Sequence, residues 1–335
     1  MQLKLGYKTC HEQYQPNILL DYAVLADRYG FDTIWTSDHF HPWAHTNAAS
    51  GFAWVWIAAA AERTKRAKIG TSVTAPILRY HPAIVAQAFA TLAHMYPGRI
   101  FLGLGAGEAL NESPLGYDWP KPKQRLEMLE EAIIVIKKLW RGSFVNFDGK
   151  YYRLRGANLY TKPGEPLRVY IAAGGPKVAR LAGKYADGIV FVPKEPRQTE
   201  LLLSAFDDGA RNAGRDPSKL EKVAEILVSY DEDYDAASKS CRFWAGSMLP
   251  LFYKYDISDP REIEEHGKFV GDEAIARRWI VANTIDEHVK RLEEHIKAGF
   301  NHLYFVSSSP NETKFLKFYG EKVLPCLREL ETHDL

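Results

Sequence analysis

The chain has 335 residues, 46% hydrophobic, 25% charged and 13% aromatic, and its 43 Lys plus Arg offset 42 Asp plus Glu for a formal net charge of +1. That composition excludes a disordered or fibrous chain and gives enough length for a large buried core. Near-neutral charge spread along the chain excludes the concentrated basic surface that nucleic acids need, but not a small anion held by a few fixed cations.

From the N-terminus, MQLKLGYKTCHEQ is polar, so no secretory signal is expected. Strands are expected at 3–8, 33–37, 67–74, 100–104, 168–172, 188–192, 223–229 and 302–306, several of them apolar with little alternation, as strands covered on both faces should be. Between them, apolar residues return every three or four positions, which predicts helices at 16–29, 82–95, 125–140, 176–184, 200–212, 285–298 and 314–330. FAWVWIAAAA (52–61) is too short for a bilayer and reads as a buried helix, so no membrane contact is expected. Strand-helix alternation repeated in this way predicts an α/β fold, a closed (β/α)8 TIM barrel formed as a single domain over 1–335. Two insertions break the pattern: a hairpin near 144–160, signalled by Asp148-Gly149, and a helical lid near 234–278. An open doubly wound sheet with a cap domain is the alternative, but no dinucleotide fingerprint follows the first strand.

In such a barrel the reactive residues sit after the C-terminal ends of strands. Those positions hold Cys10, His11 and Glu12; Ser37, Asp38, His39, His41 and Trp43; Glu108, Asn111 and Glu112; Gly174 and Gly175; and Lys194. Asp38-His39 pairs an acid with the side chain best suited to take a proton near neutral pH. The plain alternative is a capping Asp beside a His satisfied by backbone. Glu108 lies between glycines that let backbone approach a ligand, and desolvation there favours its protonated form; it reads otherwise as a helix-start carboxylate. Gly174-Gly175 precedes a helix whose free amides suit a phosphate, or is simply a turn. HFHPWAH (39–45) lacks a zinc motif, so no metal is expected. Cys10, Cys241 and Cys326 are widely spaced and read as reduced thiols in a cytoplasmic protein.

The segments SDHFHPW (37–43), RYHPAIVAQAFAT (79–91), YPGR (96–99), GAGEALNE (105–112), FDGKYYRL (147–154), AAGGPKVA (172–179), RFWA (242–245) and RRWIVA (277–282) carry a resemblance over nearly the whole chain. Together they resemble the luciferase-like superfamily of flavin- and deazaflavin-binding barrels, closest to the F420-dependent glucose-6-phosphate dehydrogenases and the related F420-dependent secondary alcohol dehydrogenases. The resemblance implies coenzyme F420 in the barrel mouth and hydride transfer from a substrate carbinol carbon to the deazaflavin. It implies His39 as base and Glu108 as acid, with Trp43 and Glu12 lining the reacting centre. Cofactor contacts are implied for Asp38, Asn111, Ala173, Gly174 and Gly175, and for a cis Ser72-Val73 bulge. Ala75 stands where some relatives use a threonine.

Lys194, Lys254 and Arg278 match a sugar-phosphate pocket, which implies oxidation of glucose-6-phosphate at C1. Other segments, HFHPWAHTNAAS, LPLFYKY and SSSPN among them, lean toward the alternative, oxidation of small secondary alcohols such as isopropanol to ketones. A homodimer is implied as well.

Overall fold

The computed structural model describes residues 2–333. Its strands are β1 (Lys4–Thr9), β2 (Thr33–Thr36), β3 (Lys68–Thr71), β4 (Ile100–Leu104), β5 (Val145–Asp148), β6 (Arg153–Ala157), β7 (Arg168–Ala172), β8 (Gly188–Phe191), β9 (Glu221–Tyr230), β10 (Ile280–Ala282) and β11 (His302–Ser307). The parallel order β9-β11-β1-β2-β3-β4-β7-β8 closes on itself through β8–β9, giving the expected eight-stranded barrel. β10 hangs outside this ring, paired to the last three residues of β9. β5 and β6 form the antiparallel hairpin.

Most boundaries follow from local chemistry. Pro16, Pro82, Pro122, Pro176 and Pro196 each sit in the first turn of a helix. There the ring's fixed φ suits the helix and its missing N–H costs nothing. This is why the helices expected at 125–140 and 200–212 begin earlier, at Pro122 and Pro196. The strand expected to reach 74 stops at Thr71, ahead of a cis Ser72-Val73 peptide, and only Thr74 pairs again, with Leu104. The C-terminal helix is split at a π turn, Tyr319–Val323, where Gly320 packs so tightly that a Cβ would lie 2.4 Å from Tyr29 Cβ. β10 was not expected, being three residues long at the lid's end. The lid itself is a chain of short helices, Tyr234–Ser240, Leu251–Lys254, Pro260–Gly267 and Asp272–Arg278. No helix among the described residues is long and apolar enough to cross a membrane.

The barrel interior is filled, not hollow. Trp35 on β2 stacks on Tyr304 of β11 at 4.6 Å, with Phe101 and Tyr170 packed against its other sides. Beneath this aromatic layer, Glu221 takes hydrogen bonds from Lys4, Arg168, Tyr170 and His302. Burial alone would raise its carboxyl, but His302 and Lys4 hold it far below the ordinary range. Outside the strands, aliphatic and aromatic side chains of the helices form the main core.

The β1–β11 seam is clipped at its top by buried Glu312. Tyr7 donates to Oε1 at 2.7 Å and Ser307 to Oε2 at 2.9 Å. Burial nevertheless pushes this carboxyl up to about 7. The folded state therefore holds a proton that the unfolded chain releases near its ordinary value. The associated stability is complete below the unfolded value and is lost as pH rises through about 7. Glu312→Gln removes the titration, so its melting temperature relative to the native chain rises between pH 5 and pH 8. The difference should approach about 3 kcal/mol at most, measured by denaturation across pH.

Candidate active site

Strand ends β1, β2 and β4 bring three side chains together at the C-terminal rim. His39 follows β2 in a segment, 37–52, that contains neither helix nor strand. Its Nε2 lies 3.5 Å from Glu12 Oε1 and 3.6 Å from Glu108 Oε2. The two carboxyls are biased in opposite directions. Burial pushes Glu12 up, but His39, Lys8 and the Ser37 hydroxyl, which donates to Oε2 at 2.5 Å, outweigh it and hold Glu12 below its ordinary value. Burial pushes Glu108 up, with the Glu12 charge adding to the effect and His39 opposing it. Two acids biased in opposite directions, one on each side of an imidazole, make a site for moving a proton to and from a bound hydroxyl.

Asn111 ties this group together. Its Oδ1 accepts from the amides of Phe40 at 2.7 Å and His41 at 3.4 Å, and its Nδ2 donates to Glu108 at 3.3 Å. Asp38 is buried and points away from His39. Its carboxylate accepts from Thr74 at 2.6 Å and Tyr80 at 3.1 Å, with Arg79 3.4 Å away. Both oxygens are thus engaged by protein donors.

The cis peptide forms the adjoining wall. A Cβ on Gly105 would lie 2.6 Å from Val73 Cγ2, so the backbone after β4 approaches Val73 this closely because residue 105 has no side chain. Gly107, at φ +75°, faces Ala75. Beneath, Ser72 and Tyr304 share a 2.7 Å hydrogen bond, Tyr304 donates to Glu225, and Lys8 pairs with Glu225 at 3.1 Å.

Ala173 is buried, while Gly174 and Gly175 border open space and lead into helix Pro176–Tyr185. Lys194 donates to the Gly174 carbonyl at 3.1 Å, which places it at this turn. Lys254 and Arg278 lie exposed on the lid. Arg278 is close enough to Tyr253 for its charge to oppose the rise of that phenol. Trp43 packs against Tyr253 with ring centres 5.1 Å apart, and against His39 at 6.0 Å. The lid is also tethered by polar contacts: Glu264 accepts from the His45 and Thr46 amides at 2.7 Å, and Ser113 donates to Asp256 at 2.5 Å. Among the described residues no group of three or more His, Cys, Asp or Glu side chains is arranged to hold a metal ion.

Several members of this rim carried no sequence signal. Lys8 and Glu225 are charged residues inside strands whose partners lie more than two hundred residues apart, and they meet only because the first strand pairs with the last. Tyr253 stood within an aromatic run without any mark of its contact with Trp43. Arg79 and Tyr80 were visible only as part of a longer segment.

Comparison with known proteins supplies the relationship. The family model for luciferase-like monooxygenases matches residues 5–302. The chain is 44% identical over 333 residues to the F420-dependent glucose-6-phosphate dehydrogenase of Segniliparus rotundus, covering 98% of this chain and 99% of that protein. It is 44% identical over 329 residues to the protein of the same name from Microbacterium testaceum, covering 98% of each. Among solved structures, an F420-dependent secondary alcohol dehydrogenase in complex with an F420-acetone adduct superposes with a TM-score of 0.95 at 42% identity, covering 98% of this chain and 99% of that one. With the profile spanning most of the barrel and relatives matching end to end, the chain belongs to the luciferase-like monooxygenase family.

Proposed function

We propose that this protein is an F420-dependent dehydrogenase that oxidises glucose-6-phosphate, or a close sugar 6-phosphate, at C1 to 6-phosphogluconolactone or its counterpart. The observation that carries the reading is His39 Nε2 set between Glu12 and Glu108 at the barrel rim. The names of the end-to-end relatives supply the cofactor and the substrate class.

The residues present fit the cofactor. Gly105 presents no side chain beside Val73, and a Cβ on Gly174 or Gly175 would meet nothing within 4 Å, so backbone is open to a ligand at both places. The Ser72-Val73 backbone and Ala75 would support the ring, with Asp38 and Asn111 at its edge and Ala173, Gly174 and Gly175 along the polar tail. Oxidised F420, when bound, supplies a deazaflavin carbon that accepts a hydride. The chain's own residues do the rest. His39 takes the proton of the substrate hydroxyl at Nε2, and the ionised Glu12 stabilises the imidazolium that results. Glu108, whose burial biases its carboxyl toward holding a proton, lies beside the same imidazole as the acid. Trp43 walls the centre against water.

Lys194, Lys254 and Arg278 are assigned to the substrate phosphate. Among the described residues none of the three has a carboxylate within salt-bridge range, so their charge is available to an anion. A second reading, oxidation of small secondary alcohols, draws support from the 0.95 TM-score to the alcohol dehydrogenase and from the aromatic Trp43–Tyr253 wall. Purified protein mixed with oxidised F420 should bleach the deazaflavin absorbance with glucose-6-phosphate and not with isopropanol; bleaching by isopropanol alone would transfer the assignment to the second reading. Lys254→Ala should raise KM for the sugar phosphate about tenfold or more while leaving F420 affinity within about threefold, since it removes one charge-assisted contact.

His39→Ala should lower kcat by about two to four orders of magnitude, with F420 affinity nearly unchanged by fluorescence titration. An unaltered kcat at saturation removes His39 as the base.

The chain is further proposed to act as a homodimer in the cytoplasm. Support comes from exposed apolar side chains on neighbouring helices, Val55 at 71%, Ile84 at 52% and Met95 at 55% exposure, and from cysteines that are all free thiols. Val55→Glu should shift the mass measured by light scattering from two chains to one; a single-chain mass for the unaltered protein would end this reading.

A further inference from the structure

We propose that Arg79 is a positioning residue for the reaction, a clamp that fixes the register of His39 between its two carboxyls. The inference rests on the proposed reaction only where turnover is the readout. His39 lies in the irregular 37–52 segment, so no ladder or helix sets its backbone. Side chains from within the segment and from other elements do so instead. The Asp38 carbonyl, the acceptor half of the peptide that carries the His39 nitrogen, takes a hydrogen bond from Arg79 at 2.9 Å. On the other side the His39 carbonyl accepts from Ser50 at 2.8 Å, and the Phe40 amide donates to Asn111 at 2.7 Å. Arg79 is thus the upstream hold on a residue whose downstream holds come from Ser50 and Asn111.

Arg79 is itself fixed from several directions. Its side chain is only 7% exposed. The guanidinium lies 4.5 Å from the centre of the Tyr80 ring and 3.4 Å from the Asp38 carboxylate. Its main-chain N–H donates to buried Glu112 at 2.8 Å, and Glu112 directly follows Asn111. One residue, through its guanidinium to Asp38 and its main-chain N–H to Glu112, therefore joins the loop after β3, the loop after β2 and the short helix after β4 beside His39. Removing the cation would leave Asp38 and Glu112 as neighbouring buried acids without their shared counter-charge. Its geometry matters as well as its charge. One nitrogen, Nη2, reaches both the carbonyl and the carboxylate of Asp38 while the planar guanidinium lies against the Tyr80 ring, an arrangement that a shorter, non-planar lysine ammonium does not reproduce.

The test uses Arg79→Lys and, should that variant not fold, Arg79→Gln, which retains an amide donor. In the full-length protein without added cofactor, the amide protons of Phe40 and His41 should exchange with deuterium about tenfold faster than in the native chain, while β1 and β11 amides are unchanged. In the turnover assay kcat should fall about 10- to 100-fold, with F420 affinity and KM altered far less. In a His39→Ala background the same Arg79 substitution should add almost no further loss, because both changes act through one imidazole. Unchanged exchange at Phe40 and His41, or a full additional loss in the double variant, overturns the proposal. If the native protein reduces F420 with no alcohol or sugar phosphate, the proposed function fails on its own, and the exchange measurement still decides the clamp.

Discussion

An imidazole seated between two carboxyls works only if those carboxyls do not titrate alike. Two equivalent buried acids would share one proton and leave the histidine without a defined partner. In this protein the difference is built in the surroundings. Glu12 has Lys8 and the Ser37 hydroxyl on its side, whereas Glu108 has burial and the Glu12 charge. Lys8 is in turn anchored by Glu225 on β9, two strands away across β11, so the proton bias at the rim depends on the first strand pairing with the last. A (β/α)8 barrel suits this task because strands distant in sequence deliver single charges to one opening.

The rim is held by side chains more than by regular structure. The turn bearing His39, the loop after β3 and the short helix after β4 touch through Asn111, Arg79, Tyr80, Thr74 and Asp38. Arg79 Nε and Glu112 Oε1 are buried without a partner, but the members of such a network that do find partners fix its geometry. Asp38 illustrates the point. Its carboxylate is so fully occupied by Thr74, Tyr80 and Arg79 that its first duty is to the protein around it.

Much of this was legible in the chain. The eight strands, the hairpin and the lid followed from the period of apolar residues and from the Asp148-Gly149 turn. His39, Glu12, Glu108 and Asn111 stood out because polar residues at strand ends have few structural reasons to be there. What escaped notice has a common physical cause. β10 is too short to show a period, and the Lys8–Glu225 pair inside the barrel is long-range by nature. Arg79 looks like any arginine until the fold buries it, and Tyr253 looks like a core aromatic until the lid sets it on Trp43. Two helix starts were read late, at 125 and 200, because the first apolar returns there are Leu126 and Leu201, whereas the helices begin at Pro122 and Pro196.

The aromatic plug of Trp35, Tyr304, Phe101 and Tyr170 has one more consequence. It fills the barrel axis between the Glu221 cluster at one end and the Glu12–His39–Glu108 group at the other. The charged clusters at the two ends of the barrel are thereby kept apart by a layer of packed rings, so a change of charge at the rim acts on the far cluster only across that layer.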